Sequence, residues 1–129
     1  MDWEEIIKSY PTAWELFGDY VYHTIGNFNV ELPEAFNSEY VNFWISDNPS
    51  GGKVTVHYRK LFDFFDGQGI RVVVVNGWKD GKMFWIFRIS GKGYFIIRRS
   101  EEYSIRIEAE ESAFMKAFEV LEERLRKGK

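Results

Sequence analysis

Hydrophobic and polar positions alternate most regularly between Ile70 and Arg99. The alternation predicts three strands, Ile70 to Val75, Met83 to Ile89 and Tyr94 to Arg99, divided by Asn76-Gly77, Asp80-Gly81 and Gly91-Lys92-Gly93. Asp-Gly is a strong signal for a type I′ hairpin, and a loop at Asp80-Gly81 pairs Val74 with Phe87 and Val72 with Ile89. One face of this hairpin then carries Ile70, Val72, Val74, Met83, Trp85, Phe87 and Ile89. It is wholly apolar and is expected to be buried. The other face carries Arg71, Val73, Val75, Phe84, Ile86 and Arg88. To that second face the third strand adds either Phe95 and Arg99 or Tyr94 and Arg98, according to the loop length at Gly91.

Helical spacing flanks the strands. Trp3 to Lys8 reads as a short helix, and Pro11 suits the first position of a second, running to about Tyr22 with Trp14, Phe17 and Val21 on one stripe. Asn27 to Ser38 has no clean period and contains Pro33, so it reads as loop. Tyr40 to Ile45 and Lys53 to Tyr58 alternate around a turn-rich Asp47 to Gly52 and read as a hairpin. Arg59 to Asp66 is a short helix ended by Gly67-Gln68-Gly69, and Tyr103 to Ile107 is a candidate short strand. From about Ile107 to Lys127, Phe114, Ala117, Phe118, Leu121 and Leu125 form the apolar stripe of a long helix. The expected fold is α+β: one domain over residues 1–129, an antiparallel β-meander packed against the long C-terminal helix, with short N-terminal helices.

Composition sharpens this picture at two points. Aromatic residues make up 19 % of the chain, which supplies a small domain with large side chains to bury. Cysteine is absent, which removes disulfides, thiolate nucleophiles and Cys-ligated zinc. The acidic start and the lack of a long apolar run point to a soluble cytoplasmic protein that does not engage a membrane. The net charge of -3 is unevenly spread. Residues 1–52 hold one lysine against nine acids, whereas residues 53–99 hold ten bases against three. Either the acidic part covers the basic sheet, or a basic face is left for a polyanion or an acidic partner.

The chemistry available is sparse. The two histidines, His23 and His57, lack metal-ligand spacing, and no metal or other cofactor is expected. Gly67-Gln68-Gly69 precedes a strand rather than a helix, the wrong context for a dinucleotide fingerprint. Asp63 and Asp66 stand three apart on the short helix, where a solvated face explains them. Glu108, Glu110 and Glu111 suit the start of the last helix, whose dipole favours negative charge. No pair of groups demands acid–base catalysis, so the chain is not expected to be an enzyme.

Leu61 to Ile70, LFDFFDGQGI, followed by EAEESAFMKAFEVLEERL from Glu108 to Leu125, resembles a group of small uncharacterised proteins of bacteriophages, prophages and the bacteria that carry them. Tyr10-Pro11-Thr12-Ala13 is similar to their Y-P-x-A opening, while Tyr20 to Val56 has no counterpart. The resemblance implies a small intracellular accessory protein, in the host cytoplasm if viral, and supplies no catalytic residue.

Two functions compete. The first is a non-catalytic binding protein that meets a host or viral protein through exposed aromatics, with Trp3, Trp44 and Trp78 as anchors. The alternative is single-stranded nucleic-acid or nucleotide binding on the second sheet face, where Phe84 or Phe95 would stack on bases and Arg71, Arg88 and Arg99 would meet phosphates.

Overall fold

In the computed structural model the chain runs α1 (Trp3–Ser9), α2 (Pro11–Ile25), β1 (Val30–Ala35), β2 (Tyr40–Ile45), β3 (Gly52–His57), α3 (Lys60–Gly67), β4 (Arg71–Lys79), β5 (Lys82–Ser90), β6 (Phe95–Ile97) and α4 (Arg106–Lys127). It describes the backbone of residues 1–25, 30–35, 40–45 and 52–128, and the side chains of 1–21 and 56–128. The class is α+β, with two three-stranded antiparallel sheets, β1-β2-β3 and β4-β5-β6, a long C-terminal helix and short N-terminal helices. No helix among the described residues is long and apolar enough to cross a membrane. Contacts gather the chain into two compact units, Met1–Lys60 with Arg124–Lys129, and Leu61–Glu123.

In the first unit, Asp2 caps α1: its carboxylate accepts the Glu5 N–H at 3.1 Å, satisfying a donor that the helix leaves open. Pro11 then opens α2, where a missing N–H costs nothing. Trp3 and Trp14 pack ring to ring at 5.4 Å, and Phe17 follows Trp14 at 5.6 Å. Trp3, at 2 % exposure, is therefore core and not the exposed anchor expected from its position near the start. The stretch expected to be loop between Asn27 and Ser38 contains β1, which pairs antiparallel with β2. Pro33 is tolerated because β1 is an edge strand and the register shifts between Val30 and Pro33. Strands β2 and β3 pair antiparallel, as expected of a hairpin, with Asn42 opposite Thr55; the turn between them lies outside the described residues, as do the side chains of His23 and Trp44.

The second unit is organised by α3 and α4. Phe62, Phe64 and Phe65 of α3 meet Phe114 and Phe118 of α4, with ring centroids between 4.8 and 6.4 Å apart. The small Ala109, Ala113 and Ala117, all fully buried at i, i+4 spacing, leave room on α4 for neighbouring rings. Glu110 is buried too and faces Arg106, one turn earlier, at 3.6 Å. Helix α3 ends in a Schellman motif: the Ile70 N–H reaches the Phe65 carbonyl at 2.9 Å, the Gly69 N–H reaches the Asp66 carbonyl at 3.1 Å, and Gly69 has φ 75°. Strand β4 starts one residue after Ile70, so this cap sets where the sheet begins.

The β4–β5 register pairs Val72 with Ile89 and Val74 with Phe87, as the Asp80-Gly81 turn requires. Three expectations change. Strand β4 does not stop at Asn76-Gly77 but runs to Lys79, because the Phe84 ring lies over Gly77 and fills the place of its missing side chain. Burial on the apolar face is confined to Ile70, Val72, Phe87 and Ile89; Met83 is 40 % exposed and Trp85 partly so, since the hairpin outruns the core. The strand expected from Tyr103 to Ile107 reduces to one bridge, Tyr103 with Trp85, before α4 begins at Arg106.

That bridge belongs to a strap along the outer edge of β5. Ser100 N–H donates to the Phe87 carbonyl at 3.0 Å, and Phe87 N–H donates to Ser100 Oγ at 2.8 Å. Trp85 and Tyr103 exchange both backbone bonds, at 2.7 and 2.8 Å. The strap satisfies backbone groups that the short β6 leaves behind. Tyr103 stacks on Phe87 and donates its hydroxyl to Glu101 Oε1 at 3.0 Å. Burial, above all, pushes this phenol above 10.0, and the neighbouring Glu101 and Glu108 carboxylates add to the rise against an opposing hydrogen bond from Ser112.

Two measurements check this packing. Phe118→Ala removes a fully buried ring, so urea unfolding should register a loss of about 3–5 kcal/mol; a loss below about 0.5 kcal/mol, the scale of a surface change, would contradict the α3–α4 core. In a spectrophotometric titration, the difference between wild type and Tyr103→Phe should isolate one phenol that ionises above 10.0. Because the folded value is the higher one, the stability this group contributes is fully present below pH 10.0 and is lost as pH rises through the folded value. Ionisation of that phenol at or below 10.0 would contradict its burial.

Candidate nucleic-acid interface

Directly paired residues of an antiparallel sheet share a face. Arg71 stands opposite Ser90 and Val73 opposite Arg88, so both arginines and Ser90 lie on the second face. The register then shifts: Ile89 pairs with Ile97, but Ser90 pairs with Phe95, so β6 advances two residues while β5 advances one. This bulge turns Phe95 onto the arginine face and leaves Ile97 on the apolar one. Tyr94 folds back over Gly91, where a Cβ would stand 2.6 Å from its ring. Arg71, Val73, Arg88, Ser90, Tyr94 and Phe95 thereby line a concavity of about 470 Å³. That is within the size range of small-ligand sites.

Two rings stand at its rim. Tyr94 and Phe95 are 56 % and 55 % exposed, large for such side chains, and the Arg98 guanidinium lies 5.2 Å over the Phe95 ring. The alternatives left open for the third strand therefore do not exclude each other, because the bulge brings residues of both sets to this side. Phe84 shares the face with Arg88 but is engaged: it covers Gly77, and Arg99 lies 5.7 Å over its ring while pairing with Glu102 at 3.1 Å.

Electrostatics favour an anion. Residues 71–99 carry seven bases and one acid, Asp80, and all seven bases are exposed. Among the described residues only Arg99 of the seven has a carboxylate within ion-pair distance. Arg71 and Arg88 are both exposed.

Of the residues singled out from the sequence, Arg71, Arg88 and Phe95 come together, Phe84 and Arg99 pair with each other on the same face, and Trp78 stands apart. Trp78 pairs with Met83 at the far end of the hairpin, on the opposite face, at 66 % exposure. Ser90 follows from the same pattern: the Asp80-Gly81 parity that relates Val72 to Ile89 also sets Ser90 opposite Arg71. Tyr94 needed the β6 bulge, for which the sequence carries no signal beyond its glycines.

Asp63 and Asp66 are exposed on α3, and the Asp66 carbonyl serves the helix cap. His57 Nδ1 accepts the Arg59 N–H at 3.1 Å in the turn before α3. Among the described residues no group of three His, Cys, Asp or Glu side chains gathers to hold a metal. No family model, curated protein or solved structure matches this chain.

Proposed function

We propose that the protein is a non-catalytic binder of single-stranded nucleic acid, and that it uses the concavity between Arg71, Arg88, Tyr94 and Phe95. The observation that carries this reading is the juxtaposition of two exposed guanidinium groups, with no carboxylate in ion-pair distance among the described residues, and two exposed rings around one hollow. Guanidinium forks match phosphate oxygens, and a flat ring accepts any base on its face. A single strand offers both features together; a duplex hides its bases. A protein partner has less support. Of its three expected anchors, Trp3 is buried and the side chain of Trp44 lies outside the described residues, which leaves Trp78 alone. The resemblance to phage-type proteins suits a small accessory protein of this kind.

Affinity for an oligothymidylate of about twelve nucleotides, followed by fluorescence anisotropy across a salt series, tests this. Each phosphate neutralised on a single strand contributes about 0.7 to the slope of log affinity against log salt. Replacing Arg71 and Arg88 together by alanine should therefore flatten the slope by about 1.4. Phe95→Ala should weaken binding roughly five- to hundredfold, the scale of one lost base stack of about 1–3 kcal/mol, and leave the slope unchanged. No salt-dependent binding by wild type at low ionic strength, or an unaltered slope in the double variant, would refute the assignment.

A further inference from the structure

The far end of the β4–β5 hairpin is built stiffly and then left in water. Asp80 and Gly81 hold φ of 53° and 75°, the two positive values of a type I′ turn whose twist matches the strands. Phe84 seals Gly77 below the turn, and Arg99 lies over Phe84 in turn. On this braced arm Trp78 stands opposite Met83, at 66 % and 40 % exposure. Lys79 stands opposite Lys82, both exposed. Like charges directly across a sheet repel, and an indole in water forgoes burial, so neither choice serves the fold. The lysine pair suits an anionic ligand.

Alternation puts Lys79 and Lys82 on the same face as Arg71 and Arg88. Arg71 and Lys79 are eight residue steps apart along β4, about 26 Å at roughly 3.3 Å per step. A stacked strand covers that span in about eight nucleotides, at roughly 3.4 Å each.

We infer that the hairpin tip is a second contact for the strand held in the concavity, with Lys79 and Lys82, on the concavity's own face, meeting its phosphates. This rests on the concavity binding single-stranded nucleic acid. The charge of this face carries the choice of occupant: Arg71 and Arg88 at its base and Lys79 and Lys82 at its tip are all exposed and complement a polyanion. Two contacts on one ligand make the second binding step intramolecular, so affinity rises once the ligand is long enough to bridge them.

Oligothymidylates of about three and about twelve nucleotides separate the cases, measured at low salt with the full chain. Wild type should bind the longer probe at least tenfold more tightly per site, on the conservative side of the roughly hundredfold or greater gain that linkage allows. Lys79→Ala combined with Lys82→Ala should abolish that length dependence and leave the short probe's affinity within about twofold, since the concavity is untouched. Equal binding of both probes by wild type, or a length step that survives in the double lysine variant, would overturn the second contact while the concavity stands. Failure of both probes to bind would remove the concavity reading itself, and this inference with it. Trp78-dependent binding to phosphatidylserine vesicles without a length step would assign the tip to a membrane surface instead, and would also overturn the inference.

Discussion

Two consecutive residues with positive φ, Asp80 at 53° and Gly81 at 75°, set the side of the sheet on which the β4–β5 side chains stand. The side-chain period of a strand is two, so a slip of one residue at this turn would carry Val72, Phe87 and Ile89 into water and turn Arg71 and Arg88 toward the core. Burial of the first group penalises such a slip, and the cost of burying unpaired guanidinium groups penalises it again. The turn, the core and the candidate interface are therefore one constraint seen from three sides.

The core receives this hairpin through a second fixed point. Ile70 closes the Schellman cap of α3 and leads directly into β4, so the helix that contributes Phe62, Phe64 and Phe65 to the aromatic cluster also fixes where the sheet begins. Beyond Trp85 the sheet outruns its cover, and there the side chains divide by face, with Trp78 and Met83 on one side and Lys79 and Lys82 on the other. The base of the hairpin is thus held by burial, whereas its far half is held by the turn, by Phe84 over Gly77 and by Arg99 over Phe84. An arm built in this way keeps its shape without an apolar partner, which leaves its surface free for a charged one.

Features set by local periodicity were legible in advance. The Asp-Gly turn revealed the β4–β5 register, and the apolar stripe of α4 revealed Phe114, Phe118 and Leu121, because each depends only on neighbours in the chain. What escaped depends on contacts between distant residues. Gly77 looked like a strand end until the Phe84 ring was found over it, and Pro33 looked incompatible with a strand until β1 proved to be an edge. The candidate site divides along the same line. Arg71 and Arg88 followed from parity alone, whereas the approach of Phe95 and Tyr94 depends on a bulge and on a ring folded over Gly91, neither of which a period records. Trp3 misled for a related reason: its burial comes from Trp14 in the next helix, not from the pattern of its own.

The central claim is that the hollow between Arg71, Arg88, Tyr94 and Phe95 is where a single strand binds. Amide chemical shifts of the ¹⁵N-labelled protein, followed while an oligothymidylate is added, test it most directly because they report location without a substitution. The account predicts that the largest shifts fall on Arg71, Arg88, Ser90, Tyr94 and Phe95, with the amides of α1 and α2 unmoved. Shifts centred on α1 or α2, or a spectrum that does not change at low salt, would contradict it.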